Sequence, residues 1–407
     1  MKKRIPIVTL ITICLFVFTA YFLRANADSS SRPPKTADDQ HPALQNPDKF
    51  AWEMFVEINK PAQSGSSTST WETWASDEDV FDNPNVTPVW PGSATPTGFA
   101  ITRQRKRLRP IRQLVIGNEE LRSTRRLQQR ERLQRNKKDR GPQVNFIPPQ
   151  IGSGEEVRMN KATFDFIVAN NLWYIQGQET AFQNNTKIDF PVESKEVKAI
   201  WQPISEGDKE RFHWAPNPAD GNKPYGMVAL HVISKDLPNW TWATFEQVDN
   251  PERCLARPCH DSFGVTASGD VSPELQGLFQ AAGLGPEWQF YRLTGMQVDF
   301  VDASGQPTIL GNSVIENPFR LSSSCITCHS RSTIGPRIGA GANRLSVFQP
   351  RPPVPPPPIP PDRLISYNGM PDPTWFFTNP QDPTTRKYLQ LDFLWSLRNA
   401  RRRTIPS

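Results

Sequence analysis

The chain has 407 residues, 37% of them hydrophobic, with 41 prolines and 23 glycines; this is enough for two or three domains with a sizeable core, and it excludes a polytopic membrane protein or a helical bundle. The net charge of +6 is local, because 15 Lys/Arg stand against 4 Asp/Glu between Arg103 and Arg140, an excess of +11 that leaves −5 on the rest. A basic pI confined to one segment is no argument for a nucleic-acid partner, and none is expected.

Met1-Lys2-Lys3-Arg4, an apolar run from Ile5 to Leu23 and Ala25-Asn26-Ala27 follow the order of a secretory signal. Residues 1–27 are read as a signal peptide cut after Ala27. The rival is an uncleaved anchor, since residues 5–23 approach the ~20 that a membrane helix needs. Either places the body outside the cytoplasm, periplasmic or exported, with membrane contact through this segment. Residues 28–48 are polar and Pro-rich and read as a flexible tether.

Residues 49–100 read as the N-terminal helical part of the main domain. Apolar residues recur at three and four from Phe50 to Ile58, as on a helix facing a core, and Trp71-Glu72-Thr73-Trp74 reads as a short helix or strand. Residues 101–145 are strong helix formers with few apolar positions, hence a basic insertion, disordered or a solvated helix.

Residues 146–318 read as a β-rich main domain. Asn160–Ala169 looks like a capped helix, and Ser272-Pro273 opens another. Glu196–Trp201, Met227–Ile233 and Trp240–Phe245 have the branched and aromatic content of strands. Tyr291–Val301 and Thr308–Val314 flank Asp302-Ala-Ser-Gly305 and suggest a hairpin. The expected fold is α+β: an antiparallel sheet or sandwich with peripheral helices and, over 319–407, a C-terminal haem-bearing segment. That segment contains a polyproline stretch, 349–361, and a closing helix over Tyr388–Arg403.

The chemistry is carried by Cys325-Ile-Thr-Cys328-His329. Two thiols three residues apart can add across the vinyl groups of one haem, and the adjacent imidazole can bind its iron. Half a zinc site and a redox disulfide share the spacing, but no second C-x-x-C completes the first and no βαβ pattern surrounds the second. At these residues the chain resembles the c-type cytochromes. Trp242-Ala-Thr-Phe-Glu-Gln-Val-Asp-Asn250 and Ser323–His329 are similar to a group of uncharacterised exported bacterial cytochrome c-like proteins. The resemblance implies one covalent haem c on Cys325 and Cys328, His329 as proximal ligand and a location outside the cytoplasm; it implies no substrate.

Met370, in Asn368-Gly-Met-Pro371, is the only methionine after the motif and is the expected distal ligand; His231, His260 or an open site are the alternatives, and a buried gap-filler is the bland reading. Cys254 and Cys259 are expected to form a disulfide, with a second haem on Cys254, Cys259 and His260 as the rarer reading. His41 lies in the tether, His213 beside Trp214, and His231 inside a strand, where a hydrogen-bonded structural role is the plain reading. No phosphate loop, H-E-x-x-H or G-x-S-x-G is present. The expected function is electron transfer with a periplasmic redox-partner protein. A haem oxidoreductase of peroxidase type and a haem-based sensor or binding module are the alternatives.

Overall fold

The computed structural model describes residues 41–91, 154–255, 257–317, 319–350 and 364–404. The signal or anchor, the basic insertion and most of the polyproline stretch lie outside the described residues. No described helix is long and apolar enough to cross a membrane.

The fold is mixed α and β around one seven-stranded antiparallel sheet. Its strands are β1 (Ala75–Ser76), β2 (Glu155–Met159), β3 (Lys195–Pro203), β4 (Trp214–Asn217), β5 (Lys223–Ser234), β6 (Thr241–Gln247) and β7 (Tyr291–Gln297). They run in the order β1-β2-β3-β5-β6-β7, with β4 paired to β5. Among the described residues it is a single sheet covered on both faces, not a sandwich, and the other sheets each have two strands. Every residue of β6 is buried, as a central strand packed on both sides requires.

On one face lies α2 (Pro47–Asn59), which follows the short α1 (Pro42–Gln45). The last part of the segment expected as a tether is thus helical, because Asn46 caps Lys49 N at 3.2 Å and Pro47 presets the first turn. The apolar spacing of α2 sets Trp52 and Phe55 against Phe245 at ring separations of 5.0 and 4.5 Å. Phe55 meets Trp288 at 5.5 Å. Fully burying one such ring is worth about 1.5–3 kcal/mol. A side chain at Gly264 would stand 2.0 Å from Trp52 Nε1, so only glycine fits beneath that indole. Also on this face is α6 (Pro273–Ala282), where Ser272 caps Leu275 N.

The opposite face is covered by α3 (Asp77–Phe81), α4 (Lys161–Ala169), α5 (Ile175–Gln183) and described C-terminal residues, among them Ile326, Ile334, Leu391, Leu394 and Leu397. Two expected elements differ there. The hairpin about the Asp302–Gly305 turn is short: Val301 bridges Pro307 antiparallel and Thr308 N donates to Phe300 O at 3.0 Å, but the chain beyond lies across the sheet, where Asn312 Nδ2 donates to Thr244 Oγ1 at 2.9 Å and Ser313 N to Glu246 Oε1 at 3.0 Å. The closing run is no α-helix. It forms β9 (Leu389–Gln390), paired with β8 (Thr333–Ile334), and a 3-10 turn, Trp395–Asn399. Asp392 and Phe393 have φ of +46° and +66°, which a right-handed helix excludes. Asp392 is held there by Lys235 Nζ at 2.6 Å and Phe190 N at 2.7 Å. Leu389, Leu391, Leu394 and Leu397 are buried as the spacing implied, but by tertiary contacts along an extended path.

Contacts across more than 300 residues close this layer. Asn399 Nδ2 donates to Asp77 Oδ2 at 2.5 Å, Arg403 Nε to Pro84 O at 2.8 Å, and Asn85 Nδ2 to Thr404 Oγ1 at 3.0 Å.

Candidate functional site

The Cys325–His329 pentapeptide forms a single helical turn, α7. Residues three apart share one face of such a turn, so Cys325 and Cys328 stand side by side, and both are free thiols. Gln297, at the end of β7, clamps the turn to the sheet. Its Nε2 donates to Ser324 Oγ at 2.9 Å and Thr308 O at 3.1 Å, and its Oε1 accepts from Ile326 N at 3.1 Å. Thr327 Oγ1 donates to Gly369 O at 2.7 Å, and the two thiols donate to Leu310 O and Tyr367 O.

His329 ends the turn with Nδ1 2.9 Å from Phe393 O. A carbonyl only accepts, so Nδ1 carries the proton and Nε2 keeps a lone pair. Burial pushes the imidazole pKa down to about 3, which holds the ring neutral, as ligation requires. Trp242 meets this ring edge-on at 4.5 Å and Trp395 lies 5.5 Å away. Burial raises both thiols, Cys328 to about 11 and Cys325 well above the usual thiol value.

Comparisons with protein-family models, curated proteins and solved structures return no match. The chemistry must therefore be read from the side chains. The donor set fits one covalent haem c: two free thiols on one face, and a neutral imidazole whose Nδ1 hydrogen bond turns Nε2 into the available ligand atom.

The other expected residues are distributed unevenly. Met370 is 64% exposed, and its neighbour Gly369 contributes a carbonyl, so the structure does not bring the thioether into the site. Cys254 and Cys259 are disulfide-bonded with a Cα separation of 5.1 Å, which leaves neither sulfur for a second haem. His260 is exposed beside Asp48 Oδ2 at 2.9 Å. His213 stacks on Trp288 and bonds Glu72 Oε2 at 3.0 Å. His41 caps α1.

His231 departs from the structural role read for it. It shares the site's face of the sheet with Lys198 and Thr244, its partners on β3 and β6, yet its buried Nε2 has no hydrogen-bond partner. Glu316 Oε2 stands 3.5 Å from that nitrogen, and burial lifts the Glu316 carboxyl to about 7. Lys198 is paired with Glu155 at 3.1 Å. Sequence reasoning missed Gln297, Lys198, Glu316 and the Phe393 carbonyl. Polar alternation on β3, Glu196 and Lys198 against Val197 and Ala199, was the available signal, and it resembles an ordinary solvated face.

Proposed function

We propose that this chain is an exported electron-transfer protein carrying one covalent haem c, with Cys325 and Cys328 as thioether donors and His329 as proximal ligand. The observation that carries the reading is the His329 Nδ1 to Phe393 carbonyl bond next to two free thiols, because an oriented, neutral imidazole is what an iron site needs and a plain structural histidine does not. Haem, when bound, supplies a one-electron iron couple. The chain's own residues would hold it: Gln297 fixes the turn, Phe393 sets the histidine tautomer, and Trp242 and Trp395 pack around the imidazole. A periplasmic redox protein is the expected partner.

The test is haem-stained denaturing electrophoresis with pyridine haemochrome quantitation on protein exported from a host able to attach haem c. One haem per chain is expected, and replacing both Cys325 and Cys328 by Ala abolishes covalent haem. Retention of the stain in that variant overturns the assignment. The alternative of a haem oxidoreductase is favoured by one feature, the ionisable patch Lys198–His231–Glu316 on the face where the turn docks. Carbon monoxide binding by the wild-type ferrous protein separates the two, since substrate chemistry at iron needs an exchangeable position.

A further inference from the structure

Disulfides divide by their surroundings. A structural pair lies in apolar packing and is inert, whereas an exchangeable pair is partly exposed and stands beside positive charge. Cys254 and Cys259 have surroundings of the second kind. Both are half-buried, and Leu255, Arg257, Pro258 and His260 around them are exposed. Arg253 Nη1 stands 3.0 Å from Cys254 Sγ. Glu252, the carboxylate next to it in the chain, is paired with Arg320, and the buried Nε of Arg253 has no hydrogen-bond partner. Among the described residues, the one side-chain hydrogen bond of Arg253 goes to sulfur.

The backbone favours opening of the same bond. Cys254 has a φ of +56°, in the left-handed region that a residue with a Cβ occupies only at a cost. Breaking the disulfide frees Cys254 to leave that region. The loop can open without unfolding the sheet, because other bonds tie down both of its ends. On one side Asn250 Nδ2 donates to Val228 O at 2.9 Å. On the other, His260 N donates to Thr294 O at 3.0 Å and Ser262 N to Asp48 Oδ2 at 2.7 Å.

We propose that Cys254–Cys259 is a thiol–disulfide exchange site that oxidises a dithiol. A thiolate of the dithiol attacks Cys259 Sγ, which lies between the exposed Pro258 and His260. The bond between the two cysteines breaks, and its electron pair leaves on Cys254 Sγ, where the Arg253 guanidinium stabilises the thiolate. The second thiol of the dithiol then attacks its own partner sulfur in the mixed disulfide and releases Cys259. The dithiol becomes a disulfide, and its two electrons and two protons pass to Cys254 and Cys259. This chemistry uses none of Cys325, Cys328 and His329, and it stands whether or not haem is bound.

The experiment incubates the native full-length protein with glutathione and, separately, with dithiothreitol, quenches with acid and maps the peptides carrying Cys254 and Cys259 by mass. Expected for the wild type is opening of the bond in the folded state, faster than unfolding followed by tryptophan fluorescence. The first glutathione adduct is expected on Cys259. In the dithiothreitol-reduced protein, alkylation of Cys254 rises with pH to a midpoint below about 7.5, against about 8.5 for an unperturbed thiol. Arg253→Met moves that midpoint up toward the unperturbed value and slows the opening. Opening only at the rate of unfolding, a first adduct on Cys254, or an ordinary Cys254 midpoint in the wild type each overturns the inference, and none of these three readings depends on a variant that folds. An Arg253→Met protein that folds and opens at the wild-type rate overturns it as well.

Discussion

Replacing Gln297 by Leu removes the clamp on α7 at nearly constant volume. The amide has two protons and accepts one bond from Ile326 N, so three hydrogen bonds are lost at about 1 kcal/mol each. Ile326 N–H is then left buried without an acceptor, a further ~1–3 kcal/mol, while the leucine recovers about 1 kcal/mol of apolar burial. The net is a loss of about 3–5 kcal/mol, a large part of the ~5–15 kcal/mol that holds a domain together. Urea unfolding followed by tryptophan fluorescence measures it, and a double-mutant cycle with Ser324→Ala isolates the Gln297–Ser324 bond. A destabilisation below about 1 kcal/mol, or a coupling indistinguishable from zero, refutes the clamp.

Glu196 is 6% exposed with Oε2 unpartnered, and burial raises its carboxyl from 4.5 to about 7. A raised carboxyl contributes stability that is present below pH 4.5 and lost as pH rises through about 7, about 3 kcal/mol for a shift of this size. Glu196→Gln therefore flattens the decline in stability between those limits and exceeds wild type above pH 7; parallel pH–stability curves for the two proteins rule this out. The Cys254–Cys259 disulfide closes a short loop, and chain entropy sets its worth at about 2 kcal/mol. Replacing both cysteines by serine lowers stability by about that amount, and an unmodified thiol count of zero in the native wild type, before reductant, at these two positions checks the bond itself.

The sequence was most legible where local rules and burial agree. Helix α2 declared itself by apolar spacing, α4 and α6 by their caps, and β3, β5 and β6 by branched and aromatic content. The export signal, which implies an oxidising compartment, pointed to the Cys254–Cys259 disulfide. Legibility failed where distant partners decide. Leu389 to Leu397 carry a helical spacing, yet the backbone turns left-handed at Asp392 and Phe393, where Asp392 is captured by Lys235, 157 residues away in the chain. Thr308–Val314 reads as a strand, but buried Glu246 takes its hydrogen bonds and turns it across the sheet. The site divides the same way. Cys325, Cys328 and His329 are contiguous and visible, whereas Glu316 meets His231 only through the fold. Proximity to proline and glycine made Met370 attractive, but it did not turn the side chain inward.

The contacts between Asp77 to Asn85 and Asn399 to Thr404 join segments more than 300 residues apart in the chain. Pairings of such sequence separation form late, after the loop-closure entropy has been met by other contacts. The tail that completes them also provides the Phe393 carbonyl and the Trp395 ring around His329. In the folded chain the α7 turn is covered, and burial raises both thiols, which makes them poor nucleophiles. Labelling of Cys325 and Cys328 is therefore expected to be slower in the folded protein than after unfolding in urea.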